Sequence, residues 1–276
     1  MPELPEVETV KNTLKELVIG KSIERVEVFY ERIIQNVKVE EFKEKLKGEE
    51  FVNIERYGKY LIFILKEHII VSHLRMEGKY FLMKDEEKGK HEHIIFYLKN
   101  GETLRYLDTR KFGVMYLFEG VDVNKVLKEE PLNKLGLEPF SKGLTVNYLK
   151  EKMAKRSGPI KGLLLDQSII CGLGNIYVDE VLFLASLNPN EVAKNLTDQD
   201  YQAIIDASVK TLEKAIKLGG TTIRSFVSSQ HATGLFQNEL LVHTKETCPK
   251  CGGKIEKIRV ATRGTYYCPN CQKLKS

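Results

Sequence analysis

The chain has 276 residues, of which 42% are hydrophobic and 29% charged, a balance typical of a folded, soluble protein with a sizeable core. Its N-terminus is acidic and lacks the apolar core of a signal peptide, and no later stretch approaches the roughly 18 unbroken apolar residues of a membrane span. We therefore expect a cytoplasmic protein, and the length favours two domains over one.

The net charge of +5 is unevenly distributed along the chain. Residues 245–276 carry eight Lys or Arg against two Glu, a local excess of +6, so the remaining residues sum to −1. A short basic tail on a nearly neutral body is typical of proteins that bind a polyanion such as nucleic acid. A solvated charged tail is the alternative.

The N-terminal stretch MPELPEVETV predicts a helix. After Pro5, the apolar residues Val7, Val10, Leu14 and Leu17 recur at intervals of three and four. This spacing places them on one face of a helix that begins on a proline in its first turn.

Pro2 is a candidate nucleophile. A chain that begins Met-Pro commonly loses its methionine, which leaves Pro2 with a free secondary amine that can attack an electrophilic carbon and form an iminium. An α-amino group has a reference pKa of about 7.7–8.0 against about 10.4 for lysine, so more of it is neutral at pH 7, although a prolyl amine is more basic than this reference. Glu3 would move protons. The alternative is a helix cap followed by solvated glutamates.

Residues 22–119 form short β-rich runs separated by Lys, Asn and Gly turns, which predicts a β-sandwich or barrel. In YLDTRKFG (106–113), Arg110 and Phe112 stand two residues apart after a strand, with Asp108 available to orient the guanidinium. An apolar wedge beside an arginine suits a protein that parts a base step in a duplex. The alternative places Phe112 in the core and Arg110 on the surface.

The second half of the chain is predicted to be helical. KEEPLNKLGLEPFSKG (128–143) has the prolines and glycines of a connector. Predicted helices follow over residues 145–155, 159–170, 176–187 and 197–218. CGLGNIYVDE (171–180) runs from a glycine turn into a helix, which lets backbone amides and Asn175 approach a phosphate. Tight helix packing is the alternative explanation of that turn.

Four of the five cysteines lie in the last 29 residues, as Cys248-x2-Cys251 and Cys268-x2-Cys271, with sixteen residues between the pairs. This spacing predicts a four-thiolate zinc site built from two knuckles. Because four thiolates leave the zinc no open position, its role would be structural. A redox pair is the alternative, and Cys171 is interpreted as a small core residue.

Together, these segments resemble the bacterial formamidopyrimidine-DNA glycosylases, which excise oxidised purines such as 8-oxoguanine. The shared motifs occur in the same order from end to end of the chain. They are PELPEVET at the start, GKYL at 58–61, SHLRMEG at 72–78, KHEH at 90–93, DTRKFG at 108–113, LLLDQSIICGLGNIYVDE at 163–180, GGTTIRSF at 219–226 and RGTYYCPNCQ at 263–272.

The resemblance implies an α+β fold: an N-terminal helix plus β-sandwich domain, a helix-two-turns-helix domain, and a C-terminal four-cysteine zinc ribbon. We accordingly divide the chain into a catalytic domain (1–130), a connector (131–143), a DNA-binding domain with a lesion-recognition loop (144–235) and a zinc ribbon (236–276). One structural Zn²⁺ per chain and a monomeric state are also implied.

Four residues are similar to the family's catalytic residues. Pro2 is similar to the nucleophile that attacks C1′ of the damaged nucleoside and forms the Schiff base, and Glu3 to the proton donor and relay. Lys59 is similar to the lysine that contacts phosphate and assists β-elimination. Arg263 is similar to the residue that grips phosphate for δ-elimination. On the residues alone, Lys59 would be a solvated turn lysine and Arg263 a surface charge of the ribbon.

The resemblance also implies a DNA-binding set. The residues inserted into the duplex would be Met76, Arg110 and Phe112, with Arg110 facing the orphaned cytosine. The implied phosphate contacts are His73, His91, Lys161 and Asn175. Residues 221–226 resemble the mobile loop that closes over the flipped base, and the residues assigned to lesion recognition there are Thr221, Thr222 and Arg224.

The chain departs from the family pattern in three places. Many members have a Tyr-Gly-Arg segment ahead of the first cysteine, where this chain reads LVHTKETC. The hinge reads GLEP rather than GPEP, and Ala261-Thr262 stands where glycine commonly precedes Thr or Arg in the finger. These changes lie outside the assigned catalytic set and affect the hinge and the finger.

The implied function is a bifunctional DNA glycosylase and AP lyase of base excision repair. It would act on double-stranded DNA that contains oxidised purines or abasic sites, in the bacterial cytoplasm and associated with the nucleoid. One alternative is an endonuclease VIII-like enzyme for oxidised pyrimidines, whose N-terminus usually reads Pro-Glu-Gly-Pro rather than PELPE. Another is a zinc-ribbon lesion binder without catalysis, which has no need of Pro2 at the terminus.

Overall fold

The computed structural model describes residues 1–84, 86–153, 155–221 and 234–275. The described chain forms two compact units. The first contains Met1–Asn133 with the described residues of Gly219–Gly234, and the second contains Lys134–Leu218 with residues 235–275. None of the described helices is long and apolar enough to cross a membrane.

Helix α1, Leu4–Val18, opens the first unit and confirms the N-terminal helix. Glu3 is its N-cap residue, and Glu6 Oε2 accepts the Glu3 backbone N–H at 2.8 Å, which satisfies a donor at the helix start. The apolar residues Val7, Val10 and Leu14 are buried, so the predicted face packs into the core.

The rest of this unit is a β-sandwich. Its elements are β1 (Ile23–Val28), α2 (Val39–Leu46), β2 (Phe51–Tyr57), β3 (Tyr60–Leu65), β4 (His68–His73), β5 (Lys79–Lys84), β6 (Glu92–Leu98), β7 (Glu102–Leu107), β8 (Val114–Glu119) and α3 (Val123–Val126). The strands form two antiparallel sheets, in the orders β1-β6-β7-β5 and β2-β3-β4-β8. Phe51, Phe63 and Phe96, from both sheets, meet edge to face in the shared core. The sequence predicted a sandwich or a barrel, and two separate sheets around one core make this unit a sandwich.

The second unit begins with helices. They are α4 (Val146–Met153), α5 (Ile160–Leu165), α6 (Asn175–Leu184) and α7 (Asp198–Lys217).

Single 3-10 turns occur at Glu31–Ile33 and Leu132–Lys134 in the chain before α4, and at Ala193–Asn195 and Phe236–Glu239 after it. Helix α7 opens on a capping box in which Asp200 Oδ2 accepts the Thr197 N–H at 2.7 Å. Cys171 is fully buried, as expected of a core residue.

Helix α5 is shorter than the predicted helix over 159–170. Asp166 Oδ1 accepts the backbone N–H of Ser168 at 2.9 Å, and Gln167 Nε2 donates to the carbonyls of Leu165 and Leu173. A continuing helix would have used the Ser168 N–H and the Leu165 carbonyl, but side chains satisfy both groups here. The helix therefore ends at Leu165.

The zinc-ribbon segment ends the second unit. Strands β9 (Glu256–Val260) and β10 (Arg263–Tyr267) form an antiparallel hairpin. A small core joins this segment to α6, with Phe183 of α6 packed among Val242, Ile255 and the thiols of Cys248 and Cys268.

Candidate functional site

The residues at the N-terminus lie near Lys59 in the first unit. Pro2 and Glu3 are buried, whereas Met1 is 39% exposed. Lys59 follows Gly58 in the hairpin turn between β2 and β3 and is 5% exposed, so it is not a solvated turn lysine. Burial lowers the pKa of the Met1 amino group; Glu3 and Glu6 oppose this change, and the positive charge of Lys59 reinforces it. An amine in these surroundings is neutral at a lower pH than an exposed one.

Glu6 is a site residue that the sequence reasoning missed. Its Oε2 accepts the Glu3 backbone N–H, and its Oε1 accepts the Thr221 N–H at 2.8 Å and the Thr221 hydroxyl at 3.1 Å. The carboxylate therefore ties the candidate catalytic residues to the start of the expected lesion loop. The Glu3-x-x-Glu6 capping pattern could have indicated that Glu6 is not merely solvated. Of the loop residues, Thr222 and Arg224 lie outside the described residues.

Asp108 builds the turn that carries Arg110 and Phe112. Its Oδ1 accepts the Arg110 backbone N–H at 3.0 Å, and its Oδ2 accepts those of Phe112 and Gly113 at 2.9 and 2.8 Å. The expectation that Asp108 orients the Arg110 guanidinium was wrong, because these backbone donors occupy the carboxylate. The guanidinium instead lies 4.7 Å from the centre of the Phe112 ring. Phe112 is 51% exposed, so its ring projects from the turn rather than into the core.

The turn of Phe112 and the turn of Met76 meet at Tyr106. A Cβ atom on Gly113 or on Gly78 would overlap the Tyr106 hydroxyl, so both turns require glycine at this contact. The Thr109 hydroxyl also donates to Glu77, which follows Met76. The two segments that carry the expected intercalating residues are therefore held side by side.

His73 and His91 differ in their surroundings. Burial, followed by the positive charges of Arg75 and Lys59, lowers the pKa of His73 well below its usual value. His73 Nδ1 accepts the Arg75 backbone N–H at 2.9 Å, which leaves the proton of the neutral ring on Nε2. His91 is half-buried and has a left-handed backbone with φ of +70°. A phosphate contact from His73 would therefore be a neutral hydrogen bond rather than an ion pair.

In the second unit, the side chains of Lys161 and Asn175 both contact the β9–β10 hairpin. Lys161 is fully buried, and its Nζ lies 2.7 Å from Asp179 Oδ1 and 3.2 Å from the Gly264 carbonyl oxygen. Asn175 Nδ2 donates to the same carbonyl at 3.0 Å. Arg263 is exposed at the start of β10. The phosphate contacts expected of Lys161 and Asn175 stay predictions, and any direct contact by Lys161 would compete with its buried partners.

The four cysteines converge as a metal site requires. Their Sγ atoms all lie within 4.8 Å of one another, with Cys248 to Cys271 at 3.8 Å and Cys251 to Cys268 at 3.6 Å. A tetrahedral zinc with Zn–S bonds of about 2.3 Å places its sulfurs about 3.8 Å apart. The donor set therefore fits a structural zinc ion. Hydrogen bonds from the Gly253 backbone N–H and then from the neighbouring thiols lower the pKa of Cys251 to about 7, whereas burial raises the pKa of Cys268 and raises that of Cys271 to about 12. Cys251 is therefore the thiol that most readily gives the thiolate that binds metal.

Three family models match successive parts of the chain. They are the formamidopyrimidine-DNA glycosylase N-terminal domain at residues 1–115, the formamidopyrimidine-DNA glycosylase H2TH domain at residues 135–227, and a zinc finger found in FPG and IleRS at residues 245–274.

Curated relatives match over nearly the whole length. The formamidopyrimidine-DNA glycosylase of Bacillus anthracis is 49% identical, with 99% of each chain covered. That of Halalkalibacterium halodurans is 47% identical, with 99% of this chain and 100% of the relative covered.

Solved structures of the Lactococcus lactis Fpg protein are also similar. Its complex with DNA that contains an abasic site has a TM-score of 0.90 at 41% identity, covering 99% of this chain and 100% of the other. A complex of its wild-type form with DNA that contains an oxidised pyrimidine has a TM-score of 0.89 at 40% identity, with the same coverage.

Replacing Gly113 by Ala tests the contact with Tyr106. Because the new Cβ would overlap the Tyr106 side chain, we expect overpacking that destabilises the protein by about 1–3 kcal/mol. Thermal unfolding measures the change, and Gly158→Ala is the matched control because a Cβ there meets nothing within 4 Å. Equal melting temperatures for the two variants would contradict the contact.

Replacing Cys268 by Ser tests the metal site. Losing one of four thiolates should release the zinc and unfold the finger, because zinc binding supplies much of the folding free energy of such sites. Metal analysis and DNA-binding titrations measure the result, and Cys171→Ala is the control because Cys171 lies outside the cluster. Full zinc content with unchanged DNA affinity in Cys268→Ser would show that the thiolate is dispensable.

Proposed function

Because this chain belongs to the formamidopyrimidine-DNA glycosylase family and is thus a DNA glycosylase of base excision repair, we propose that it removes oxidised purines, 8-oxoguanine and formamidopyrimidines, from duplex DNA. It does so through a Schiff base on Pro2 and then cleaves the strand by β,δ-elimination. Its substrates also include abasic sites, since the second activity needs only the sugar.

The observation that carries this proposal is that Pro2, Glu3 and Lys59 are buried and that burial lowers the pKa of the N-terminal amine. After loss of Met1, the Pro2 nitrogen occupies these surroundings, where burial favours its neutral, nucleophilic form. Its lone pair forms a bond to C1′ while the glycosidic C–N bond breaks, and the departing base takes the electrons of that C–N bond and a proton, which Glu3 supplies or relays. The Pro2 nitrogen then loses its proton, and the C1′–O4′ bond of the sugar breaks as O4′ takes up a proton, which leaves the Schiff base between Pro2 and C1′. A binding protein without catalysis would have no need of Pro2 at the terminus.

The eliminations follow from the Schiff base. Loss of a C2′ proton expels the 3′ phosphate, and Lys59 assists this step by contacting phosphate. Arg263 grips the 5′ phosphate for its expulsion in the δ-step. His73, His91, Lys161 and Asn175 position the backbone, with the neutral ring of His73 as a hydrogen-bond donor.

The wedge formed by Met76, Arg110 and Phe112 holds the duplex open after the damaged base leaves the stack. The exposed Phe112 ring fills the vacated step, and Arg110 offers its donors to the orphaned cytosine. The loop that begins at Thr221, with Thr222 and Arg224, covers the extruded base.

We further propose one zinc ion per chain, a monomeric enzyme in the bacterial cytoplasm, and the domain boundaries given above. Oxidised pyrimidines are a second candidate substrate class, favoured by the solved complex of the Lactococcus lactis protein with such DNA. The PELPE terminus favours the purine class, and a cleavage assay over a panel of lesions and opposite bases separates the two.

Borohydride trapping tests the nucleophile. With a duplex that contains 8-oxoguanine opposite cytosine, we expect a covalent complex through Pro2. A form extended by a tag that remains ahead of Pro2 should form no adduct and keep most of its DNA affinity, because an internal proline has no free amine. Absence of an adduct with mature protein that binds this DNA would refute the Schiff-base mechanism.

The pH dependence of trapping tests the role of Lys59. Its positive charge lowers the pKa of the N-terminal amine, so Lys59→Met should raise that pKa and move the rise of the trapping rate to higher pH. The measured quantity is the midpoint of the pH profile on abasic-site DNA. Lys66→Met is the control, since this lysine is 59% exposed and pairs with Glu50. An unchanged midpoint in Lys59→Met would refute the electrostatic coupling.

A further inference from the structure

The peptide next to Arg263 is held by two side chains from outside the hairpin. The Gly264 carbonyl, one residue after Arg263, accepts hydrogen bonds from Lys161 Nζ of α5 and Asn175 Nδ2 of α6. Gly162 of α5 also packs against the turn, because a Cβ on it would lie 3.1 Å from the Cβ of Ala261. Helix α5 therefore contacts the hairpin on both sides of Arg263.

The turn itself is strained, so its position depends on such contacts. Ala261 and Thr262 have φ angles of +46° and +63°, in the region that disfavours residues other than glycine and is costly for β-branched ones. They connect Val260 to Arg263, the last pair of the β9–β10 ladder. A strained turn persists only where its surroundings hold it, and here Arg263 follows it directly.

Asp179 of α6 organises these contacts. Its Oδ1 pairs with Lys161 Nζ, and its Oδ2 lies 2.8 Å from His243 Nδ1 and 3.1 Å from the Tyr266 backbone nitrogen in β10. The Asp179 carboxylate is fully buried, so its partners must compensate its charge. One side chain thus fixes Lys161 under Gly264 and anchors β10 directly.

His243 completes this arrangement. Its ring packs edge-on against Tyr266, with the ring centroids 4.9 Å apart. Glu180, next to Asp179, accepts the His243 backbone N–H at 2.8 Å. The histidine is therefore fixed by both its backbone and its ring.

We propose that Asp179, with Lys161 and His243, is a positioning residue for Arg263. The carboxylate holds the peptide that follows Arg263, so that the guanidinium is in place for phosphate during δ-elimination. Through its bond to the Gly264 carbonyl, Lys161 also acts on Arg263. This inference rests on the proposed role of Arg263.

The test uses the full-length zinc protein and duplex DNA with a preformed abasic site. In Asp179→Asn, we expect borohydride trapping and the β-elimination product to stay near wild-type levels, while conversion to the δ-elimination product slows about tenfold or more, as misplaced groups do. Asp206→Asn is the control, because this exposed aspartate of α7 carries the same charge in the same unit. Zinc content and thermal unfolding are measured for every variant.

A merely structural role is separated by combining the change with Arg263→Ala. If Asp179 acts through Arg263, Asp179→Asn should not slow the δ-step further in that background. His243→Phe keeps an aromatic ring against Tyr266 and removes the hydrogen-bond donor to Asp179. We expect it to slow the δ-step less than Asp179→Asn does. It keeps the test decisive if Asp179→Asn does not fold.

Three results would overturn the proposal. The first is an equal loss of trapping and of δ-elimination in a folded Asp179→Asn variant, or in His243→Phe if only that variant folds. The second is a further slowing of the δ-step when Asp179→Asn is added to Arg263→Ala. The third is an unchanged rate of the δ-step in every folded single variant at positions 179 and 243. A normal rate of the δ-step in Arg263→Ala would refute the proposed role of Arg263 and, with it, this inference. Failure to trap the wild-type protein would instead refute the Schiff-base mechanism.

Discussion

The carboxylate of Glu6 joins the two chain segments that form the first unit, and the candidate active site depends on this link. It accepts the backbone N–H of Glu3 and that of Thr221, which lies 215 residues after Glu6 in the chain. Gly220 has a φ of +76°, and a Cβ there would lie 2.6 Å from Glu6 Oε1, so only glycine allows this close approach. Glu3, at the start of α1, and Thr221, at the start of the expected lesion loop, therefore share one anchor.

Backbone hydrogen bonds to buried carboxylates recur at the other functional segments. Asp108 accepts three backbone N–H groups in the turn of Phe112, and Glu180 accepts those of Leu241, Val242 and His243 ahead of the finger. Such charge-assisted bonds fix the course of the backbone and leave the side chains of the turn free to project. The Phe112 ring can therefore project from a turn whose backbone is held in place.

Local patterns in the sequence predicted much of the fold. The periodic apolar residues and Pro5 predicted α1, the alternating runs predicted the sheets, and the spacing of the cysteines predicted the thiolate cluster that the structure contains. The predicted helix over 159–170 extended past Leu165, because the side chains of Asp166 and Gln167 take over the backbone groups there. Asp166 and Gln167 can be read from the sequence, but the backbone groups that their side chains bond cannot.

The sequence alone thus determined most of the strands and helices, although not α2 (Val39–Leu46) or α3 (Val123–Val126). It also determined the cysteines of the expected metal site and, through its motifs, the resemblance to a glycosylase family. Only the tertiary structure decided which groups the charged side chains meet: the burial of Lys59, the backbone partners of Asp108, and the pairing of Lys161 with Asp179. The reason is that helical periodicity, caps and knuckle spacing depend on residues a few positions apart. The partner of a buried charge comes from distant segments that packing brings together, such as Tyr266 at 87 residues from Asp179.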